Sequence, residues 1–130
     1  MKVLVASVDP RTADLVRMAL GPAFVVAEAA DGLEARRMVA ADAPALMIAD
    51  ETMEHYGAFG LLREIRQGSA NPPKMIVILE RAQDTWLANW SGADRWLLRP
   101  VDAFALADAA RELVGGAPKR PAGVTEEGTA

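Results

Sequence analysis

Five short apolar segments alternate with amphipathic ones along the chain, and this alternation constrains the fold more than any other feature. The apolar segments show little polar alternation, which is typical of strands buried on both faces of a parallel sheet. They cover residues 3–8, 24–27, 46–49, 75–79 and 96–98. Alternating βα units with right-handed crossovers predict an α/β sandwich, with helices on both faces of a single sheet.

Capping and stop residues set the limits of the predicted helices. Asp9 is a candidate N-cap followed by Pro10 at the first helical position, and Asp31 and Asp102 precede two further helices in the same way. Gly92 ends the fourth helix. These signals predict helices over residues 11–20, 32–41, 58–66 and 84–91, and a fifth that starts near residue 102.

Composition excludes several classes of function. The chain has 130 residues, which suits one domain, and its net charge of −4 argues against a nucleic-acid surface. It contains no cysteine, which excludes disulfides and thiolate sites, and no apolar run long enough to span a bilayer. We therefore expect a cytoplasmic protein that binds neither nucleic acid nor membrane. Residues 115–130 are rich in Gly, Pro, Thr and charge and are predicted to form a flexible C-terminal tail.

The lone histidine does not indicate a metal site. His55 lies in the loop after the third apolar segment, near Glu51 and Glu54. It has no second imidazole or thiolate to complete a ligand set, so we interpret this segment as a solvated loop.

In an open parallel sheet, functional residues collect beyond the carboxyl ends of the strands. Four predicted strands contribute candidates to that edge: Ser7 and Val8, then Asp50 and Thr52, then Leu79 and Glu80, and finally Arg99 and Pro100.

Three segments carry a resemblance to a known family. DGLEARRMVAADAPALMIAD, GLLREIR and GADRWLLRPV resemble the second helix and third strand, the third helix, and the Gly-Ala-Asp, aromatic, Lys-Pro signature of response-regulator receiver domains. The resemblance implies a receiver-like domain over residues 1–114. It also implies the flavodoxin-like (βα)5 fold, a doubly wound five-stranded parallel sheet with strand order 2-1-3-4-5.

The resemblance assigns a role to each candidate, and several identities depart from the family pattern. Asp50 takes the place of the phosphoaccepting aspartate, whereas Ser7 and Val8 stand where the family has two acidic residues for Mg²⁺. Arg99 replaces the family lysine. Mg²⁺ prefers carboxylate and water oxygens, so its binding is predicted to be weak or absent, and no other cofactor is implied.

The remaining site positions also follow from the resemblance. Either Leu79 or Glu80 falls at the family's Ser/Thr position, and neither can donate a hydroxyl to a phosphoryl group. Thr52 keeps its position after the aspartate, and Pro100 is expected to follow a cis peptide bond. We hypothesise that Arg99 pairs with Asp50, because a guanidinium can hold a carboxylate and cannot lose its proton.

The tryptophans suggest an interaction surface. Trp86 and Trp90 are four residues apart on the fourth predicted helix and share a face, while Trp96 opens the fifth strand. The family uses helix 4, strand 5 and helix 5 for partner binding or dimerisation, and tryptophan is enriched at binding hot spots. Trp86 and Trp96 could instead fill the core, whereas Trp90 is expected to be exposed, with Arg95 and Arg99 adding a basic rim.

Our leading interpretation is a degenerate receiver domain in two-component signalling. It would act without catalysis through contact with a histidine kinase, a downstream effector or a second copy of the chain. The first alternative is a working phospho-receiver, in which Asp50 accepts phosphate and Glu51 or Glu54 replaces the lost acids. The second is a flavodoxin-like binder of a small ligand, which an apolar pocket at the carboxyl edge of the sheet would favour.

Overall fold

A five-stranded parallel sheet with order β2-β1-β3-β4-β5 forms the centre of the molecule and confirms the predicted topology. The computed structural model describes residues 1–51, 53 and 57–115. The strands are β1 (Lys2–Ala6), β2 (Val25–Ala29), β3 (Leu46–Asp50), β4 (Lys74–Leu79) and β5 (Arg95–Leu98). The helices are α1 (Pro10–Leu20), α2 (Gly32–Ala41), α3 (Ala58–Gly68), α4 (Thr85–Ser91) and α5 (Ala103–Val114). None of the described helices is long and apolar enough to cross a membrane.

The helices form one layer on each face of the sheet. One apolar core lies between the sheet and α2, α3 and α4, and the other lies between the sheet and α1 and α5. The central strands β3 and β4 contribute side chains to both cores, because alternate residues of a strand point to opposite faces. This arrangement explains their nearly continuous apolar sequences.

The caps act largely as predicted. The Asp9 side chain accepts a hydrogen bond from the Arg11 amide at the start of α1, and the Asp31 and Asp102 side chains cap α2 and α5 in the same way. The fourth helix differs from the prediction, since a single 3₁₀ turn, Ala82–Asp84, comes before α4. The side chain of Asp84 accepts no capping bond there, so that carboxylate is available for other contacts.

The edge strand β2 is not buried on both faces, and the prediction was wrong for this segment. Val25 is 62% exposed, and Ala27 is also exposed. Val25 N donates to Met1 O on the β1 side, and Ala29 O accepts from Ser7 N on that side. The described residues place no strand on the opposite side of β2. An edge position explains why this segment is less apolar than β3 or β4.

Asp94 joins three elements at the start of β5. Its Oδ2 atom accepts from Arg66 Nη2 of α3 at 3.0 Å and from the Met75 amide of β4 at 2.8 Å. Gly92, which ends α4, lies beneath the Arg66 side chain with φ of +86°. A β-carbon at Gly92 would lie 2.7 Å from Arg66 Cδ, so both the backbone conformation and the close approach require glycine.

We expect Gly92→Ala to lower the free energy of unfolding by ~1–2 kcal/mol, because it adds left-handed backbone strain and displaces Arg66. Gly68→Ala is the matched control, since a β-carbon there meets nothing within 4 Å and Gly68 belongs to α3. Urea denaturation measures both variants. Equal midpoints for Gly92→Ala and the parent chain would contradict this account.

Candidate functional site

Asp50 lies at the centre of the carboxyl edge of the sheet and has no exposed surface. It is the last residue of β3, and its Oδ2 atom accepts hydrogen bonds from two hydroxyls. Ser7 Oγ, just after β1, donates at 3.1 Å, and Thr12 Oγ1 in the first turn of α1 donates at 3.4 Å. Arg99 Nη2, just after β5, donates to the same oxygen and forms an ion pair with it. The structure therefore brings Arg99 to Asp50, as hypothesised.

The Arg99 guanidinium contacts two carboxylates and does not pair with Asp50 in a bidentate arrangement. Its Nε atom lies 2.7 Å from Glu80 Oε2, in an ion pair whose N–H direction is not aligned for a hydrogen bond. Glu80 is the first residue after β4, and its amide donates to Glu51 Oε1. One fixed positive charge thus bridges Asp50, the last residue of β3, and Glu80, the first residue after β4, and Glu51 extends the network through the Glu80 amide.

Leu79 and Glu80, the two candidates for the family's Ser/Thr position, lie in different surroundings at the end of β4. Leu79 is fully buried in the core that faces α3 and α4, and its register partner is Leu98. Glu80 instead turns its carboxylate to Arg99. The Arg99–Pro100 peptide bond is cis, as the resemblance implied.

The donor set at this edge does not fit Mg²⁺. Ser7 offers a hydroxyl that already donates to Asp50, and the Val8 side chain, 44% exposed, has no ligand atom. No group of three or more His, Asp or Glu residues able to hold a metal occurs in the part of the chain that the structure describes. A hard divalent ion would have one buried carboxylate, already paired with a guanidinium. Thr52, Glu54 and His55 lie outside the described residues.

A second carboxyl pair lies beside the Arg99 network. Burial and a hydrogen bond with the Asp84 carboxyl raise the pKa of Glu51 to about 7, and the same bond lowers the pKa of Asp84. Below about pH 7 the protonated Glu51 carboxyl therefore donates a hydrogen bond to Asp84, which is buried and also pairs with Arg81 at 3.3 Å. This contact links the end of β3 to the start of α4.

The residues of the expected interaction surface differ in their exposure and in their partners. Trp86 and Trp90 are exposed, by 65% and 46%, so the core interpretation was wrong for Trp86 and exposure was correct for Trp90. Trp96 is half-buried against the core that faces α3 and α4. Arg95 forms an ion pair with Glu112 at 2.9 Å and does not supply the basic rim that we expected.

Three contributing residues were missed by the sequence analysis: Thr12, Asp84 and Arg63. Thr12 follows the Asp9 cap by three residues, and a hydroxyl in the first turn after β1 was a signal that could have indicated the site. Arg63 of α3 lies over the Trp90 ring, with its Cζ 4.5 Å from the ring centroid. No pattern in the sequence relates Arg63 to Trp90, because α3 and α4 are joined through β4.

We expect Arg99→Met to lower the free energy of unfolding by ~3 kcal/mol, because it leaves Asp50 as an uncompensated buried charge. Adding Asp50→Asn should recover most of the loss, which a double-mutant cycle by urea denaturation measures. Glu80→Gln is the matched control, since the Glu80 side chain is 43% exposed and its loss should cost less than ~1 kcal/mol. Strict additivity of Arg99→Met and Asp50→Asn would show that the pair does not interact.

The pH dependence of stability should carry a signature of Glu51. Between pH 4.5 and about 7 the folded chain holds a proton on Glu51 that the unfolded chain releases. Stability from this group is therefore complete below pH 4.5 and is lost as pH rises through 7. Glu51→Gln should flatten this part of the profile of unfolding free energy against pH. An unchanged slope in that variant would refute the assignment.

Comparisons with known proteins agree with the fold of the chain. No protein-family model matches the chain. It is 30% identical over 113 residues to an uncharacterized response regulatory protein of Mycobacterium tuberculosis, covering 82% of this chain and 85% of the relative. It is 31% identical over 110 residues to an uncharacterized 14.6 kDa protein of Leptolyngbya boryana, covering 82% and 84%.

Solved structures extend the comparison. A receiver domain of a response regulator from Bermanella marisrubri superposes with a TM-score of 0.79 at 29% identity, covering 88% of this chain and 98% of that one. The receiver domain of a histidine kinase from Syntrophus aciditrophicus superposes with a TM-score of 0.78 at 24% identity, covering 96% and 97%, and supports the fold. The sheet order, the aspartate that ends β3 and these relatives lead to one conclusion: the chain belongs to the response-regulator receiver family.

Proposed function

We propose that this chain is a degenerate receiver domain that acts in two-component signalling by phosphorylation-independent contact with a protein partner. The observation that carries the proposal is the complete burial of Asp50 beneath Ser7, Thr12 and Arg99. Phosphoryl transfer requires in-line approach to a carboxylate oxygen and a cation to neutralise the developing charge. Here Oδ2 already accepts three bonds, and the donor set does not fit a divalent ion.

Arginine at position 99 supports this proposal more strongly than lysine would. Its planar guanidinium presents several N–H groups in a fixed arrangement and cannot be deprotonated. It can therefore pair with Asp50 and Glu80 together at any physiological pH. In this proposal, Glu80 supplies to Arg99 the negative charge that a phosphoryl group would bring, and one conformation is held without modification.

Partner binding then sets the population of that conformation. One structural neighbour, at 18% identity, is a yeast receiver domain co-crystallised with a histidine phosphotransfer protein, and another is part of a histidine kinase. By analogy we propose a histidine kinase, a phosphotransfer protein or a downstream effector as the partner. Trp86 and Trp90 form the exposed aromatic surface that such a partner would cover. A second copy of the chain would be revealed by concentration-dependent sedimentation.

The two alternatives differ in their support. The position of Asp50 at the end of β3 favours a working phospho-receiver, since the family uses that position for phosphorylation. A small-ligand binder has less support. An apolar cleft of about 340 Å³ is present, but it lies between α2 and the first residues of β1 and β2 and not at the carboxyl edge of the sheet, where this interpretation places the ligand. That cleft is at the opposite end of the sheet from Asp50.

Titration with Mg²⁺, with and without beryllofluoride as a phosphoryl mimic, tests the proposal. Tryptophan fluorescence and amide NMR shifts should show no saturable change at millimolar Mg²⁺. A Ser7→Asp/Val8→Asp variant is the matched control, because it supplies carboxylates at both missing positions and should gain an Mg²⁺ response. A saturable response of the parent chain that Asp50→Asn abolishes would overturn the proposal in favour of the working phospho-receiver.

A further inference from the structure

Trp86 and Trp90 of α4, together with Arg63 of α3, make up what we call the Trp–Arg surface. Trp86 and Trp90 lie one helical turn apart on α4 and are both exposed. Arg63 reaches across from α3, with its guanidinium over the Trp90 ring and Nη1 donating to Trp90 O at 2.8 Å. The surface therefore contains aromatic area and one cation at a fixed position.

Within the part of the chain that the structure describes, no carboxylate balances the charge of Arg63. Among residues 1–51, 53 and 57–115, no Asp or Glu lies within ion-pair distance of its guanidinium. The neighbouring charges of α3 are paired elsewhere, Glu64 with Arg36 at 3.2 Å and Arg66 with Asp94 at 3.0 Å. One of the five N–H donors of Arg63 is used by the Trp90 carbonyl, which leaves donors for an incoming oxygen.

The Trp90 ring and carbonyl hold Arg63 in place before any partner arrives. Arginine loses much side-chain entropy when a partner immobilises it, so a guanidinium already held on an aromatic face has a smaller entropic cost of binding. Tryptophan and arginine are also the residue types that contribute most at binding hot spots. A carboxylate that meets Arg63 would therefore be flanked by apolar contact area from Trp86 and Trp90.

We propose that the Trp–Arg surface binds a segment of a protein partner in which an Asp or Glu side chain lies beside aliphatic or aromatic side chains. The carboxylate pairs with Arg63, and the apolar side chains cover Trp86 and Trp90. The inference rests on the proposed function only in that the chain acts through protein contact. It places the contact on the α3 side of α4, away from the exposed Phe104 of α5.

The test uses the full chain as bait for a phage-displayed random peptide library. Enriched peptides should carry an acidic residue next to apolar ones, and synthetic copies should bind with an affinity that falls as salt is added. Arg63→Gln and Trp90→Ala should each weaken binding by about tenfold or more. Arg111→Gln and Phe104→Ala are the matched controls, because each removes an exposed cation or ring from α5, and both should leave the affinity unchanged.

Several results would overturn this inference. They are failure to enrich any peptide, enrichment without acidic residues, affinity insensitive to Arg63→Gln, or loss of affinity in Phe104→Ala. Dimerisation of the parent chain that Trp90→Ala abolishes would show that a second copy covers the surface. Thermal unfolding of each variant separates lost binding from lost folding. The outcome is independent of the Mg²⁺ and beryllofluoride titration, so the inference and the proposed function can fail separately.

Discussion

The ion pairs of Arg99 with Asp50 and Glu80 compensate the negative charge at the carboxyl edge of the sheet. Asp50 is fully buried, and a buried carboxylate is strongly destabilising unless a cation and hydrogen-bond donors accompany it. Arg99, Ser7 and Thr12 supply those partners from the segment after β5, the segment after β1 and the start of α1. Because these segments meet only when β1, β3, β4 and β5 are paired, the charge network depends on most of the sheet.

Two contacts of Glu51 connect the Arg99 network at the carboxyl edge of the sheet to the start of α4. Glu51, next in sequence to Asp50, bonds the Glu80 amide and shares a proton with Asp84 at the start of α4. Trp86 lies in the first turn of α4, immediately after this contact. The Glu51–Asp84 contact therefore places the carboxyl edge of the sheet beside the N-terminal end of the helix that carries the aromatic surface.

The sequence was sufficient for the fold and for part of the site. Apolar segments of the right length, with Asp9, Asp31 and Asp102 before helices, predicted the element order, because those signals are local. The pairing of Asp50 with Arg99 followed from the family resemblance, which places both at strand ends. The contact of Arg63 with Trp90 could not be predicted, because 27 residues separate them and only the packing of α3 on α4 brings them together. Arg95 was misjudged for the same reason, since its partner Glu112 lies 17 residues away on α5.

The edge position of β2 has a consequence for how the sheet opens. Val25 and Ala29 direct their backbone groups towards β1, so strand alternation turns the amides of Val26 and Glu28 outwards. Amide hydrogens along β2 should therefore exchange with solvent in an alternating pattern, whereas those of β3 are held between strands on both sides. Local opening of β2 would break the Ser7 N–Ala29 O bond but would leave the ion pair of Asp50 with Arg99 in place. The edge strand β2 thus contributes no side chain to the network around the buried charge.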